Sequence, residues 1–289
     1  MGELPTRNAD SSACCGGEPC ETDVRDAVRE HYADLVQKRG SSNACCGPSP
    51  VAAQAGYTDE QLAALPSDMS ETSFACGNPV AFAEVQPGQV VLDIGSGAGL
   101  DLILAAKKVG PEGRVIGLDM TPEMIEKATA NIKAAGITNV EVRRGYMERM
   151  PVADGSVDWV ISNCVINLSP DKAKVFSEII RVLKPGGRML VSDIVTHGLP
   201  EKMRENAAAY ASCIGGALEE EDYLAAIRGA GFEAVEITGK MTYSAESIAA
   251  LIKACCSDET AGKEEALQSR DELDGKVSSV RVSARKPAA

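Results

Sequence analysis

Hydrophobic residues recur with two different periods along the chain, and the periods predict its secondary structure. A short run of consecutive apolar residues predicts a buried strand, whereas apolar residues three and four positions apart predict an amphipathic helix. From residue 89 onward strand and helix patterns largely alternate. The predicted strands are QVVLDIG, GRVIGLD, NVEVRRG, VDWVISN, RMLVSDIV, FEAVEITGK and KVSSVRVSARK. The predicted helices are LDLILAAKKVG, TPEMIEKATANIKAAG, KAKVFSEIIRVLKPGG, LEEEDYLAAIRGAGF and AESIAALIKACC. This alternation predicts an α/β fold, a doubly wound and mostly parallel sheet with helices on both faces.

The segments before residue 89 predict helices and loops. TDVRDAVREHYADLVQK places one apolar stripe on a helix, made of Val24, Val28, Tyr32, Leu35 and Val36. GSSNACCGPSP is predicted as a loop, and residues 59–65 and 79–85 as short helices. Within the longer helix that follows GRVIGLD, Thr121 is predicted as the N-cap, Pro122 as the first helical residue and Gly136 as the C-cap.

Four parts of the chain follow from these patterns. We predict a flexible cysteine-containing tail over 1–21, a helical and loop segment over 22–77, a nucleotide-binding domain over 78–240, and C-terminal helices with a closing strand over 241–289. The charged run DETAGKEEALQSRDELDGK is predicted as a solvated helix and loop.

The charge of the chain narrows the choice of partners. The net charge is −13 and the pI about 4.8, which argues against a general nucleic-acid binder and against an anionic membrane surface. No apolar run is long enough to span a membrane and no export signal opens the chain. We therefore expect a cytoplasmic protein, a monomer, whose thiols are reduced.

A glycine-rich turn in VLDIGSGAGLD predicts a nucleotide cofactor site. Gly95, Gly97 and Gly99 stand between a strand and a helix, where glycine lets the backbone turn tightly and approach a ligand. The spacing G-x-G-x-G differs from the G-x-G-x-x-G of dinucleotide sites. Asp93 precedes the first glycine, where it suits a cationic or amino group, and Asp119 ends the second strand, where an acidic residue takes ribose hydroxyls.

The chain has ten cysteines, and three lie in informative places: Cys76 in FACGNPVAF, Cys164 in VISNCVINLSP and Cys213 in AAAYASC. Three thiolates around one point suit a thiophilic substrate. Packing is the alternative for each, because a lone buried cysteine is usually a small hydrophobe. Structural zinc is disfavoured because no C-x-x-C pair exists.

Other catalytic groups are sparse. His31 and His197 are the only histidines, and neither stands in a catalytic motif. Asp193 is the one candidate carboxylate for metal-assisted chemistry, without a matched second one.

LDIGSGAGLD, GLDMTPEMI, the segment from Gly145 to Glu148 and RVLKPGGR are similar to class I S-adenosylmethionine-dependent methyltransferases. The resemblance covers roughly 78–240 and implies that fold and that cofactor. It implies that the three glycines line the methionine and ribose side and that Asp119 holds the ribose. The residues implied on the adenine side are Met120, Met147 and Glu148, and Asn163 is a further cofactor candidate. Tyr146 stands where many of these enzymes have an aspartate.

SNCVINLSPDK, CGNP, CCGP and ASCIGGA, with DMTPEM and PVADGSVDWVISN, closely resemble arsenite methyltransferases over roughly 24–240. The resemblance implies methylation of trivalent arsenic, free or as a thiol conjugate, for detoxification. It implies Cys76, Cys164 and Cys213 as arsenic ligands and Cys45 or Cys46 as a redox cysteine. A disulfide formed in the cycle would be reduced by thioredoxin or glutathione.

Two other functions stay open at this point. The same fold and cofactor also serve methyltransferases that act on carbon or oxygen of a small organic molecule, in which case the cysteines are packing residues. A non-enzymatic thiol protein that sequesters metalloids would explain the cysteines but not the glycine-rich turn.

Overall fold

A computed structural model describes residues 24–40 and 78–288. The predicted strands and helices form where the hydrophobic periods place them. The strands are β1 Val90–Ile94, β2 Arg114–Asp119, β3 Val140–Arg144, β4 Val157–Asn163, β5 Leu183–Thr196, β6 Glu233–Thr242 and β7 Val277–Arg285. The helices are α1 Val24–Gly40, α2 Pro79–Phe82, α3 Leu100–Val109, α4 Pro122–Ala134, α5 Lys172–Val182, α6 Glu201–Arg204, α7 Ala207–Ala211, α8 Glu220–Gly229, α9 Ala245–Cys255 and α10 Lys263–Gln268, with 3-10 turns at Ile166–Leu168 and Ser269–Leu273.

The strands form one sheet in the order β3-β2-β1-β4-β5-β7-β6. The pairs from β3 to β5 are parallel, and β7 runs antiparallel to both β5 and β6. The predicted mostly parallel, doubly wound sheet is therefore confirmed. The chain leaves β1 toward β2 on one side and returns to β4 on the other, so a crevice opens beyond the carboxyl ends of these two strands.

The sheet buries a separate apolar cluster on each face. Leu92 and Ile94 of β1 point into a cluster with α5 and α8, whereas Val91 points into a cluster with α3 and α4. A third cluster joins α1, α7 and α9 beside the end of β5 and contains Cys164 and Cys213. Of the predicted stripe of α1, Val28, Leu35 and Val36 are buried, and Val24 and Tyr32 are half-buried.

Two boundaries differ from the sequence prediction. The segment KAKVFSEIIRVLKPGG was predicted as one helix, but α5 ends at Val182 and Leu183 already belongs to β5. Pro185 accounts for the change, because the residue before a proline disfavours helical angles and proline cannot donate the helical hydrogen bond. The helix predicted over 79–85 ends at Phe82.

Helix caps and the charged run also differ in detail. Thr121 and Pro122 begin α4 as predicted, yet the Thr121 side chain makes no capping bond; Ala135 caps the helix, and Gly136 follows with φ +67°. The run predicted as solvated contains α10 and the second 3-10 turn, and it buries Ala266 and Leu273 completely.

The segment boundaries stay predictions, and the helix expected at 59–65 lies outside the described residues. Over 24–40 and 78–288, no helix has both the length and the apolar character that crossing a membrane requires.

Candidate active site

The glycine-rich turn lies at the bottom of a cleft at the carboxyl ends of β1, β2 and β4. Gly95, Gly97 and Gly99 have φ of +69°, +50° and +91°, values that side-chain-bearing residues rarely adopt. At Gly95 space is an additional constraint, because a Cβ there would lie 2.5 Å from Val165 Cγ2. The turn therefore exposes backbone to the cleft, which contains about 1070 Å³ of empty space with its open mouth included.

Asp119 ties this turn to β2. Its two carboxylate oxygens accept the backbone N–H groups of Gly97 and Thr121, each at 2.9 Å. Burial raises the pKa of Asp119, and these N–H donors offset part of that rise. Asp119 lines the cleft, so its place agrees with the predicted contact to a ribose, which stays a prediction.

Asp93 and Ser96 bring unsatisfied polar atoms to the same cleft. Asp93 is 2% exposed, and neither its Oδ2 nor Ser96 Oγ has a hydrogen-bond partner within the described residues. Burial raises the pKa of Asp93 well above its usual value, and the nearby Asp101 and Asp119 raise it further. Buried orphan acceptors are costly unless a ligand pairs with them. A ligand with a cationic or amino group and hydroxyls, such as S-adenosylmethionine, fits this cradle.

Met120, Met147 and Glu148, the residues predicted near an adenine, line the same cleft. Met147 is buried, and Glu148 Oε1 accepts the hydroxyl of Ser169 at 2.5 Å. Asn163 also lines the cleft and donates through Nδ2 to Asp101 Oδ2 at 3.2 Å. The described cofactor candidates thus line one cleft, with one exception. Gly99 packs against Ala128 and does not line it.

Two of the predicted acceptor cysteines come together at one end of this cleft. Cys164 lines it; Cys213 does not, but its thiol donates to the Cys164 carbonyl at 2.8 Å. Both are buried. Cys164 is part of a disulfide, whereas Cys213 is a free thiol whose pKa burial raises well above the usual value.

The backbone at both cysteines is strained. Cys164 has φ +58° and Cys213 φ +62°, and Ala234 is the one further non-glycine residue of the described chain with positive φ. Such angles cost free energy in residues with a Cβ and persist where the surrounding structure imposes them, often at functional sites. Their coincidence at two cysteines 49 positions apart that share a hydrogen bond singles out this pair.

The other predicted cysteines fall elsewhere. Cys76, Cys45 and Cys46 lie outside the described residues. Cys255 and Cys256 are buried cysteines in the cluster beside α1 and do not line the cleft. No group of three His, Cys, Asp or Glu side chains within 24–40 and 78–288 has the geometry of a metal site.

Asp193 is buried near Cys213 and does not line the cleft. Its oxygens accept from Asn167 Nδ2 at 2.8 Å, from the Ile194 N–H and from the Tyr223 hydroxyl. Burial raises its pKa to about 7. These contacts support a structural place for Asp193 and argue against the metal-binding place considered from the sequence.

Sequence reasoning missed the contribution of α1 to the cleft. Arg25, Val28 and Tyr32 line it, and the Arg25 guanidinium lies 5.3 Å from the centre of the Tyr146 ring. Val28 and Tyr32 were predicted as core residues because their spacing marks an apolar stripe. Nothing in that spacing distinguishes a core face from a face that closes a ligand cleft.

Comparison with known proteins identifies a family of methyltransferase domains that matches residues 86–260. An arsenite methyltransferase of Halobacterium salinarum is 42% identical over 82% of this chain and 64% of its own length. A human arsenite methyltransferase is 30% identical over 73% of this chain and 59% of its own length. The chain thus spans less than two thirds of these curated relatives.

A crystal structure with the same fold is that of an arsenic(III) S-adenosylmethionine methyltransferase from Chlamydomonas reinhardtii. It is 32% identical to this chain, with a TM-score of 0.61, and the match covers 84% of this chain and 75% of the algal one.

Proposed function

Because the chain belongs to the arsenite methyltransferase family of S-adenosylmethionine-dependent methyltransferases, we propose that it methylates trivalent arsenic. The substrate is arsenite or a thiol conjugate of arsenite. Cys76, Cys164 and Cys213 hold the arsenic through their thiolates, and the products are mono- and dimethylated arsenicals. The biological purpose is arsenic detoxification.

The observation that carries this proposal is the pairing of Cys164 with Cys213 at the wall of the cofactor cleft. The two cysteines follow β4 and α7, are joined by the 2.8 Å contact from the Cys213 thiol to the Cys164 carbonyl, and share the strained backbone conformation. Ordinary packing of two cysteines requires none of these features. A soft trivalent centre bound by sulfur here would lie beside the cofactor.

The cofactor side of the cleft suits the donor. S-adenosylmethionine supplies a methyl group on a positively charged sulfur when it is bound. Asp93 and Ser96 offer unpaired acceptors for its polar groups, Asp119 orders the glycine-rich turn, and Met120 and Met147 offer an apolar surface for its base. These residues bind and orient the donor, which favours transfer through positioning.

The cleft also suits an acceptor that needs no general base. Trivalent arsenic bound by three sulfurs retains a lone pair, which forms the new arsenic–carbon bond as the carbon–sulfur bond of the donor breaks. Oxygen acceptors instead need a group that removes a proton, most often His or Lys. Among the described residues that line the cleft, none is a His or a Lys.

Methylation in this way takes arsenic from the trivalent to the pentavalent state, so two electrons must return to it before it is methylated again. We assign this step to thiols that include Cys45 or Cys46, which leaves a disulfide. Thioredoxin or glutathione then reduces the disulfide. Because Cys164 is itself a disulfide cysteine in the structure, the protein must be reduced before it can bind arsenic.

The test is to incubate reduced, purified protein with arsenite, S-adenosylmethionine and a thiol, and to separate the arsenic species by chromatography with elemental mass detection. We expect methylated arsenic in the complete mixture and none without reductant or donor. Protein that binds S-adenosylmethionine by calorimetry but yields no methylated arsenic would contradict the proposal and direct the search to organic acceptors.

A further inference from the structure

We propose that Tyr32 is a positioning residue of the acceptor site, which holds Cys213 at the end of the cofactor cleft. The identity of the substrate rests on the function proposed above. The placement of Tyr32 rests on contacts between α1 and the segment that follows α7.

Tyr32 contacts both the cysteine segment and the cleft. Its hydroxyl donates to the Ala211 carbonyl at 3.0 Å and also lies within hydrogen-bonding reach of the Cys213 thiol. Tyr32 lines the cleft together with Cys164, whereas Cys213 does not line it. Tyr32 thus contacts both Cys213 and the cleft.

The Ala211 carbonyl matters because it belongs to the end of a helix. Helix α7 ends at Ala211, and the last carbonyls of a helix have no partner within that helix. The chain then turns so that Cys213, with φ +62°, donates its N–H to the Tyr210 carbonyl at 2.9 Å. By binding the Ala211 carbonyl, Tyr32 stabilises the turn that sets the direction of the Cys213 thiol.

The surroundings of Tyr32 keep its hydroxyl a donor. Burial raises the pKa of Tyr32 well above its usual value, and the neighbouring thiols of Cys213, Cys255 and Cys256 raise it further. The neutral phenol therefore keeps its proton. When Cys213 is a thiolate bound to arsenic, it can no longer donate to the Cys164 carbonyl. The single hydroxyl proton of Tyr32, which the Ala211 carbonyl accepts in this structure, can then turn to the Cys213 sulfur within its reach.

The residue before Tyr32 anchors α1 independently. His31 Nε2 lies 2.7 Å from the Cys255 carbonyl, and its ring meets the Tyr32 ring edge to face at 5.4 Å. Helix α1 therefore stays in place when the Tyr32 hydroxyl alone is removed. This allows Tyr32→Phe to report on the hydroxyl rather than on the docking of the helix.

The experiment is a double-mutant cycle of Tyr32→Phe and Cys213→Ser on the full chain, read by arsenite binding to reduced protein without cofactor. We expect Tyr32→Phe to weaken arsenite binding about tenfold, equivalent to about 1.4 kcal/mol, in the presence of Cys213. In the Cys213→Ser background, Tyr32→Phe should change arsenite binding by less than about twofold, because the Tyr32 hydroxyl acts through the Cys213 sulfur. Equal losses in both backgrounds would overturn the proposal.

A second readout covers the case in which Cys213→Ser binds no arsenite. For Tyr32→Phe we expect KM for arsenite to rise while the dissociation constant of S-adenosylmethionine stays within about twofold, since one lost hydrogen bond acts locally. A general loosening of α1 would weaken cofactor binding too, because Arg25 and Val28 line the same cleft. Weakening of both ligands would therefore overturn the positioning role.

Tyr243→Phe is the matched control. Tyr243 is a buried phenol of the same apolar cluster and is hydrogen-bonded to Ser279. We expect Tyr243→Phe to lower the unfolding temperature about as much as Tyr32→Phe does and to leave arsenite binding unchanged. Wild-type protein that binds no arsenite would overturn the proposed function; wild-type protein that binds it only as tightly as Tyr32→Phe would overturn only the role of Tyr32.

Discussion

The two sides of the cleft are built in different ways. On the cofactor side, one contiguous turn from Asp93 to Gly99 supplies the backbone and Asp119 of the neighbouring strand holds it. On the acceptor side, Cys164 follows β4 and Cys213 follows α7, and a hydroxyl from α1 completes the contact. The first is a local motif and the second is an assembly of segments distant in sequence.

This difference has a consequence for substitutions. A contiguous turn is disturbed mainly by changes within itself, because its geometry comes from its own glycines and from one carboxylate. An assembled site depends on the packing of every segment that contributes to it. The two ligands should therefore be separable by mutation, with some variants losing the acceptor and others losing the donor.

The largest expected effect is that of Cys164→Ser. We predict that methylation falls to background and that arsenite binding falls with it, because a hydroxyl is a poor ligand for a soft centre. The dissociation constant of S-adenosylmethionine should stay within about twofold, as calorimetry can measure, since one oxygen replaces one sulfur at the edge of the donor space.

Cys256→Ser is the control for that variant. Cys256 is a buried free thiol outside the cleft wall, so the same chemical change there should leave methylation intact. Loss of cofactor binding in Cys164→Ser, or equal loss of activity in both variants, would show that the two sides are not separable.

The reciprocal change is Gly95→Ala. Its Cβ would lie 2.5 Å from Val165 Cγ2 and the residue must adopt φ +69°, so the turn has to move. We predict that S-adenosylmethionine binds at least about tenfold more weakly, a loss of about 1.4 kcal/mol or more, whereas reduced protein still binds arsenite. Calorimetry with each ligand separately checks both parts.

Gly88→Ala separates the backbone effect from the steric one. Gly88 has φ +83°, but a Cβ added there would meet nothing within 4 Å, and the residue precedes β1 at the other end of the strand. We expect the substitution to destabilise the fold by about 1 kcal/mol and to leave cofactor binding unchanged. If Gly88→Ala weakens the cofactor as much as Gly95→Ala does, the contact with Val165 is not what matters.

The last prediction concerns stability alone, because Asp193 lies near Cys213 without lining the cleft, and we expect the smallest effect on ligand binding from it. The pKa of Asp193 is about 7 in the folded protein and lower in the unfolded chain. The folded state therefore keeps a proton that the unfolded state releases, so this contribution to stability is full below about pH 4 and is lost as the pH rises to about 7. Asp193→Asn cannot titrate and should remove that slope.

Urea unfolding of both proteins between pH 4 and pH 8 measures the difference. We expect the stability of wild type relative to Asp193→Asn to fall with rising pH, by on the order of 4 kcal/mol at most. Tyr223→Phe keeps the Asp193 carboxyl and removes one of its donors. The free energy of unfolding of this variant should therefore still fall with rising pH. A difference between wild type and Asp193→Asn that is constant with pH would show that Asp193 has an ordinary pKa.

Much of the cofactor side could be predicted from the sequence, because its signals are local. The order of apolar periods predicted the strands and helices that the structure contains, and the glycine spacing after β1 located the turn. The boundary at Leu183 was wrong, although Pro185 carries the signal for it in the sequence. The acceptor ligands were predicted only through resemblance, since no spacing between Cys164 and Cys213 indicates that they meet.

The sequence by itself determined the alternation of strands and helices, the glycine-rich turn and the supply of thiols, because each follows from residue types at short range. Only the tertiary structure decided that β7 inserts between β5 and β6, that Cys213 reaches the Cys164 carbonyl, and that Tyr32 lines the cleft as well as packing against the core. These are contacts between distant segments, and their geometry depends on how the sheet and its covering helices pack against each other.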